Sequence, residues 1–175
     1  MCSLEPFKID LKGLEQGRTA FEFQLHDSYF EAIEAPNVRK GELCVSLTVF
    51  RTDNCFELNF HTEGSIHIPC DLCLDDMELA IDTDNRLVAQ LGEEYSEQDE
   101  LVTVDENEGM LDTSWFIYEF IELDIPLRHV HAPGKCNPAM MKVLEEHSAS
   151  RRGAANEEQQ IDPRWAALQN LKMKD

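Results

Sequence analysis

Apolar and polar residues alternate through much of the first half of the chain, which is the period of a half-buried strand. Leu43, Val45, Leu47 and Val49 interleave with Cys44, Ser46 and Thr48. After the turn from Thr52 to Asn54 come Phe56, Leu58 and Phe60. Gly64 reads as the next turn, with Ile66 and Ile68 resuming the alternation up to Pro69. Met77, Leu79 and Ile81 form another run, and Leu87 to Leu91 a fifth. Strands joined by short turns become antiparallel neighbours, so residues 43–91 are expected to form a meander that can curl toward a barrel. Ahead of it, Phe7, Ile9 and Leu11 alternate as far as Gly13, followed by Phe21, Phe23 and Leu25. Tyr29, Phe30 and Ile33 then fall at helical spacing until Pro36 ends the pattern.

Helical signals take over after residue 109. Asp112 or Thr113 can cap a helix whose faces are traced by Ile117, Phe120, Ile121 and Leu123 or Asp124, with Pro126 as its stop. Asn137-Pro138 supplies a cap and a first-turn proline for a helix through about His147. The intervening residues 92–109 are acidic and loop-like, with Leu101 to Val104 as a short strand. Residues 148–160 lack large apolar side chains and read as a polar linker. Asp162-Pro163 then repeats the cap-plus-proline signature before Trp165, Leu168 and Leu171, which share one edge. The expected fold is α+β: an antiparallel β meander, two or three helices packed on it, and a C-terminal helical extension. One domain is expected over residues 1–147, then the linker over 148–160 and the helical segment over 161–175. The core should hold Val45, Leu47, Val49, Phe56, Leu58, Phe60, Ile66, Ile68, Leu79, Ile121 and Leu123, with Trp115, Phe116 and Phe120 beside them.

Charge changes the picture. The chain carries 35 acidic and 15 basic residues, a net charge of −20. Residues 71–124 hold 18 of the acids and one base, Arg86. Residues 125–175 are slightly basic, with 8 bases against 6 acids. A surface of that kind repels phosphate and steers basic partners inward, beyond what solubility alone requires. Glu93, Glu94, Glu97, Asp99 and Glu100 are the candidate partner-binding acids. Arg164, Trp165 and Leu168 are candidates for a second contact, in which the terminal helix clasps the complex. If RNA is touched, Arg128, Lys135, Arg151 and Arg152 are the available cations, because phosphate contacts need Lys and Arg.

The sharpest local motif is Cys-Asp-Leu-Cys, Cys70 to Cys73. A Cys-x-x-Cys turn lets two thiolates reach one tetrahedral ion at about 2.3 Å. The second half of a Zn2+ site would be His131 and Cys136, either side of Pro133-Gly134, with His129 as the competing ligand. Two other readings stay open: a reduced, metal-free pair and a redox dithiol. Asp71, Asp75 and Asp76 argue against the dithiol, because nearby carboxylates should raise a thiolate pKa. Cys44 and Cys55 read as inert thiols packed as small hydrophobes. His26, His61 and His67 read as surface histidines. No phosphate-cradling glycine loop, GxSxG or HExxH is present, and no small-molecule substrate suggests itself. No apolar run is long enough to span a membrane, and no basic region followed by an apolar one opens the chain, so a cytoplasmic protein is expected.

Taken together, the strand into Cys70–Leu74, the acidic middle, Trp115 to Leu127 and the terminal Ile161 to Leu171 resemble the YceD-like family, named for accumulation of the large-subunit ribosomal RNA. Many members carry CxRC where this chain has Leu72. Many also have a second cysteine pair where this chain has only His-Ala-Pro-Gly-Lys-Cys. The resemblance implies a role in making or stabilising the large ribosomal subunit of bacteria or plastids, and no catalytic residues. Some relatives are encoded beside a small basic ribosomal protein of that subunit, which makes such a protein the expected partner and RNA contact indirect or weak. An enzyme using Cys70 and Cys73, and a general acidic interaction module, are the competing readings.

Overall fold

The computed structural model describes residues 3–53, 55–98 and 101–147. The linker and terminal helix expected over 148–175 lie outside them. A 3-10 turn, Glu5–Phe7, leads into β1 (Lys8–Asp10), followed by β2 (Gly17–Leu25), α1 (Asp27–Ala32), β3 (Lys40–Arg51), β4 (Phe56–Pro69) and β5 (Asp76–Gly92). The chain continues through β6 (Ser96–Gln98), β7 (Leu101–Asp105), β8 (Met110–Asp112), α2 (Ser114–Asp124) and α3 (Pro138–His147). The main sheet runs β2-β3-β4-β5-β7-β6, and β1 pairs with β8 in a second, two-stranded sheet. The fold is α+β, with successive antiparallel pairing from β2 to β5 as the alternation requires. The sheet stays open, with β2 and β6 as its edges. One pairing departs from the meander: β7 lies parallel to β5, with Val88 opposite Leu101.

Two expected breaks do not occur. Gly64 lies inside β4, and residues 82–86 lie inside β5. Gly64 stands opposite Ile81, and the polar run 82–86 continues the pairing, with Thr62 opposite Thr83 and Phe60 opposite Asn85. At that level the inner row is filled by Thr62, which is buried, instead of by a large apolar side chain. The backbone ladder continues because its hydrogen bonds do not depend on the side chains.

One face of the sheet is apolar. Leu43, Val45, Leu47 and Val49 of β3 align with Leu58, Phe60 and Ile66 of β4, and all are buried. α1 and α2 cover this face. Tyr29 and Phe30 are buried from α1, and Phe116, Ile117 and Ile121 from α2, where the Phe120 ring packs on Phe60 at 5.2 Å between centroids. The Tyr29 hydroxyl donates to the carbonyl of Ser114 at 2.6 Å, tying the two helices together. Thr113 binds Phe7 O through both its N and its hydroxyl, at 3.0 and 2.8 Å.

Two expected core residues are exposed and a third packs only at the core's edge. Leu123 is 78% exposed, because at 100° per residue it points about 200° away from Ile121. Trp115 is 46% exposed, with its Nε1 donating to Glu119 at 2.8 Å. Leu79 is only partly buried.

Gly64 is required by the close approach of β3. Its φ is +145°, and a Cβ there would stand 2.3 Å from Glu42 O and 2.7 Å from Leu43 Cα. Gly17 also has a positive φ, +109°, but nothing lies within 4 Å of its Cβ position. Gly64→Ala is therefore expected to cost at least about 2 kcal/mol and Gly17→Ala about 1 kcal/mol, as read by denaturant unfolding. Equal losses at the two positions would contradict this packing.

Candidate metal centre

The cysteine turn begins where the β4–β5 ladder ends, at Pro69 opposite Asp76. Cys70 N donates to Asp75 O and Leu74 N to Cys70 O, both at 2.9 Å. Leu74 adopts φ +62°, a left-handed conformation that costs a leucine about 1–2 kcal/mol. The loop holds it there while leaving Cys70 and Cys73 buried side by side. Leu72 N points at Cys70 Sγ, 3.4 Å away.

The second half arrives from the segment after α2. Asp71 N donates to His129 O at 3.0 Å, and His129 N donates to Asp71 Oδ2 at 2.8 Å. The His129 ring lies with Nε2 3.4 Å from Asp71 Oδ1 and Nδ1 3.1 Å from Pro126 O. His129 is thus occupied in fastening the two segments and stands outside the thiol cluster. Two residues on, His131 Nδ1 lies 3.4 Å from Cys73 Sγ. The chain then reverses through Gly134, at φ +78°, with Lys135 N donating to Ala132 O. That turn sets Cys136 Sγ 3.9 Å from Cys70 Sγ. Asn137 donates to Asp75 Oδ2 at 3.0 Å, while its own Oδ1 accepts from Ala139 N at the start of α3.

Cys70, Cys73, His131 and Cys136 place their donor atoms within 4.8 Å of one another, and the group could hold a metal ion. A tetrahedral ion with bonds of about 2.3 Å to sulfur and 2.05 Å to nitrogen requires edges of about 3.8 Å and 3.6 Å. The 3.9 Å and 3.4 Å separations fit those edges. They are far from the roughly 2.05 Å of a disulfide.

The thiols differ in acidity. Burial pushes the Cys70 thiol up, but N–H groups of Cys73, His131 and Leu72, with the His131 side chain, outweigh it and bring the pKa down to about 6. Burial, then the neighbouring Cys70 and Cys73 sulfurs, push Cys136 up to about 11. One negative charge in the cluster disfavours a second. The expectation that nearby carboxylates would raise the pair therefore fails for Cys70. Asp71 and Asp75 are turned toward His129 and Asn137 instead of toward sulfur. Their fastening role was missed in the sequence, where the only signal is that they flank the Cys-x-x-Cys turn.

The candidate partner-binding acids are distributed differently. Glu93 and Glu94 are exposed on the connection that follows β5 and Glu97 is exposed on β6, all at a distance from the cysteine turn. Asp99, Glu100, Arg151, Arg152, Arg164, Trp165 and Leu168 lie outside the described residues. Arg128 and Lys135 are exposed beside the thiol cluster. Acids from outside residues 71–124 join the outer face of the sheet. Glu63 stands directly opposite Asp82, and Glu57 and Glu42 lie on the same face as Glu78 and Asp84. His61 Nδ1 is 3.0 Å from Asp84 and its Nε2 is 3.9 Å from Glu63, while His67 is 3.1 Å from Asp76. Among the described residues no helix is long and apolar enough to cross a membrane.

The sequence model of the family described as "Large ribosomal RNA subunit accumulation protein YceD" matches residues 58–172. That is more than half of the chain, so the chain belongs to this family. The matched span holds all four clustered donors and most of the acidic outer face. No curated protein and no solved structure matches the chain.

Titration with Zn2+ is expected to fill one site per chain. Cys73→Ala or Cys136→Ala should abolish tight binding, whereas His129→Ala should keep the stoichiometry and lose no more than the 10–100-fold typical of a supporting residue. Binding requires thiolates, so affinity should rise with pH. Cys136, protonated below about pH 11, gives up its proton on binding at neutral pH, whereas Cys70 contributes one only as pH falls through about 6. Competition with a chromogenic chelator across pH 5.5–8.5 reads both effects.

Proposed function

We propose that this member of the YceD family supports accumulation of large-subunit ribosomal RNA as a binding factor without catalysis, by holding a basic ribosomal protein on the acidic outer face of its sheet. The observation that carries the reading is the set of carboxylates that share this face, above all Glu63 opposite Asp82. Like charges directly across a strand pair destabilise it, and here the neighbouring histidines and the single Arg86–Glu57 pair offset only part of that repulsion. A cationic partner would relieve it. Glu93 and Glu94 beyond the end of β5, and Glu97 on β6, add to the negative field and would raise the rate of encounter. RNA phosphate would be repelled by this face, so any RNA contact falls to the other end, where Arg128 and Lys135 are exposed.

Zn2+ is the ion that three thiolates and an imidazole favour. Cys70, Cys73, His131 and Cys136 would hold it. Four protein donors leave no position open for water or substrate, so the ion would act as a staple between the β4–β5 turn and residues 125–136. That favours a structural role over a zinc or thiol enzyme built on Cys70 and Cys73.

The test uses purified full-length protein with individual basic large-subunit ribosomal proteins, and with large-subunit ribosomal RNA alone. At least one ribosomal protein should bind, at least tenfold more weakly at 1 M than at 0.1 M salt, as screening shortens from about 10 Å to about 3 Å. Replacing Glu63 with Gln and Asp82 with Asn should stabilise the fold by up to about 1 kcal/mol. The same variant, with Glu93, Glu94 and Glu97 also changed to Gln, should associate about tenfold more slowly. Tight binding of RNA with no ribosomal protein present, together with unchanged protein binding by the neutralised variant, would refute the reading.

A further inference from the structure

An open groove of about 460 Å3 runs between α2 and the strands β5 and β7. Buried Leu87, Val102 and Phe116 line it with the half-buried Phe120, and Leu123 stands beside them 78% exposed. The carboxylates of Glu97 and Glu119 lie at the same groove. Arg86 also lines it, but its guanidinium is drawn to Glu57, 3.0 Å away. An apolar trough with acidic sides suits an apolar edge flanked by cations.

Such an edge exists in this chain. Residues 161–175 carry Trp165, Leu168 and Leu171 three apart, with Arg164, Lys172 and Lys174 around them. The described chain ends at His147, in a helix none of whose residues is buried. Residues 148–160 are polar, and thirteen residues can extend to roughly 45 Å, with a root-mean-square span of about 20 Å. A domain of this size has a radius of gyration of about 15 Å, so the linker can carry the segment over a large part of the surface. Tethering supplies an effective concentration in the millimolar range, enough to populate a contact that would be weak between separate molecules.

We infer that residues 161–175 dock in the α2–β5–β7 groove of their own domain, seating Trp165 against Phe116, Phe120 and Leu123, with the basic side chains near Glu97 and Glu119. Docking would cover an apolar trough on the helix-covered side of the sheet, away from the acidic outer face. It does not depend on which partner the outer face binds, or on whether it binds one.

The chain contains two tryptophans, so Trp115→Phe leaves Trp165 as the sole indole reporter. In the full-length Trp115→Phe protein, Trp165 should emit at shorter wavelength than in the free 161–175 peptide and resist acrylamide quenching several-fold better. Adding Leu123→Asp, a change at an exposed position, should restore peptide-like emission and quenching without changing the far-UV spectrum or the melting temperature by more than a few degrees. Glu97→Lys with Glu119→Lys should weaken the shielding about as far as 1 M salt does. Peptide-like quenching in the full-length protein overturns the inference. So does shielding that ignores Leu123→Asp, which would put the seat elsewhere, or shielding that grows with protein concentration, which would put the segment on a second copy.

Discussion

The register of the β4–β5 ladder is the constraint on which the other features hang. It runs without a break from Phe56 opposite Ala89 to Pro69 opposite Asp76. Because side chains alternate with period two, this one register assigns Leu58, Ile66, Ile81 and Leu87 to the core and Glu63, Asp82 and Asp84 to solvent. A slip of one residue would exchange the two sets, burying unpaired carboxylates and exposing the isoleucines. The burial of the apolar row enforces the register. The register in turn places the Cys70–Asp75 turn at one end of the ladder and Glu93 and Glu94 beyond the other end of β5.

Between α2 and His147 the chain is held mainly by polar contacts. α3 buries none of its residues. The segment from Pro126 to Asn137 is fastened by the reciprocal Asp71–His129 bonds, the Asp75–Asn137 bond and the cluster of three thiols and one imidazole. Hydrogen bonds of this kind add only about 0.5–1.5 kcal/mol each where water can compete. An ion in the cluster would bind the two segments far more firmly, since the binding energy of a structural metal adds directly to folding. The depressed Cys70 and elevated Cys136 describe a site that already favours one thiolate and resists a second until a cation compensates.

The charge distribution has a cost in the isolated domain. Glu63 and Asp82 face each other across the ladder with no lysine or arginine between them. His61 reaches both Asp84 and Glu63. An exposed ion pair returns little in water, so the Arg86–Glu57 pair does not restore the balance. The outer face thus carries a surplus of carboxylates, whereas the apolar face is covered by α1 and α2 and leaves Leu123 exposed beside the groove.

Much of the fold was legible in the sequence. Period two in Leu43 to Val49 and the caps at Asn137-Pro138 are local signals, and local physics produced the corresponding strand and helix. The cysteine pair and the acidic middle could likewise be read directly. Tertiary structure decided the rest. Whether His129 or His131 approaches the thiols depends on how residues 126–136 cross the end of a hairpin some 60 positions earlier, where Asp71 captures the first histidine. Gly64 and the polar run 82–86 looked like turns because turn residues and an unpartnered polar stretch in a strand have the same composition. Pairing across the ladder keeps both strands continuous, with Gly64 opposite Ile81 and residues 82–86 opposite 59–63. Leu123 fell on the wrong side because a helix offers several apolar stripes, and the packing of Ile117 and Ile121 chose one. Composition and period are properties of neighbouring residues. Register and contact between distant segments are properties of the whole folded chain, so the sequence alone left them open.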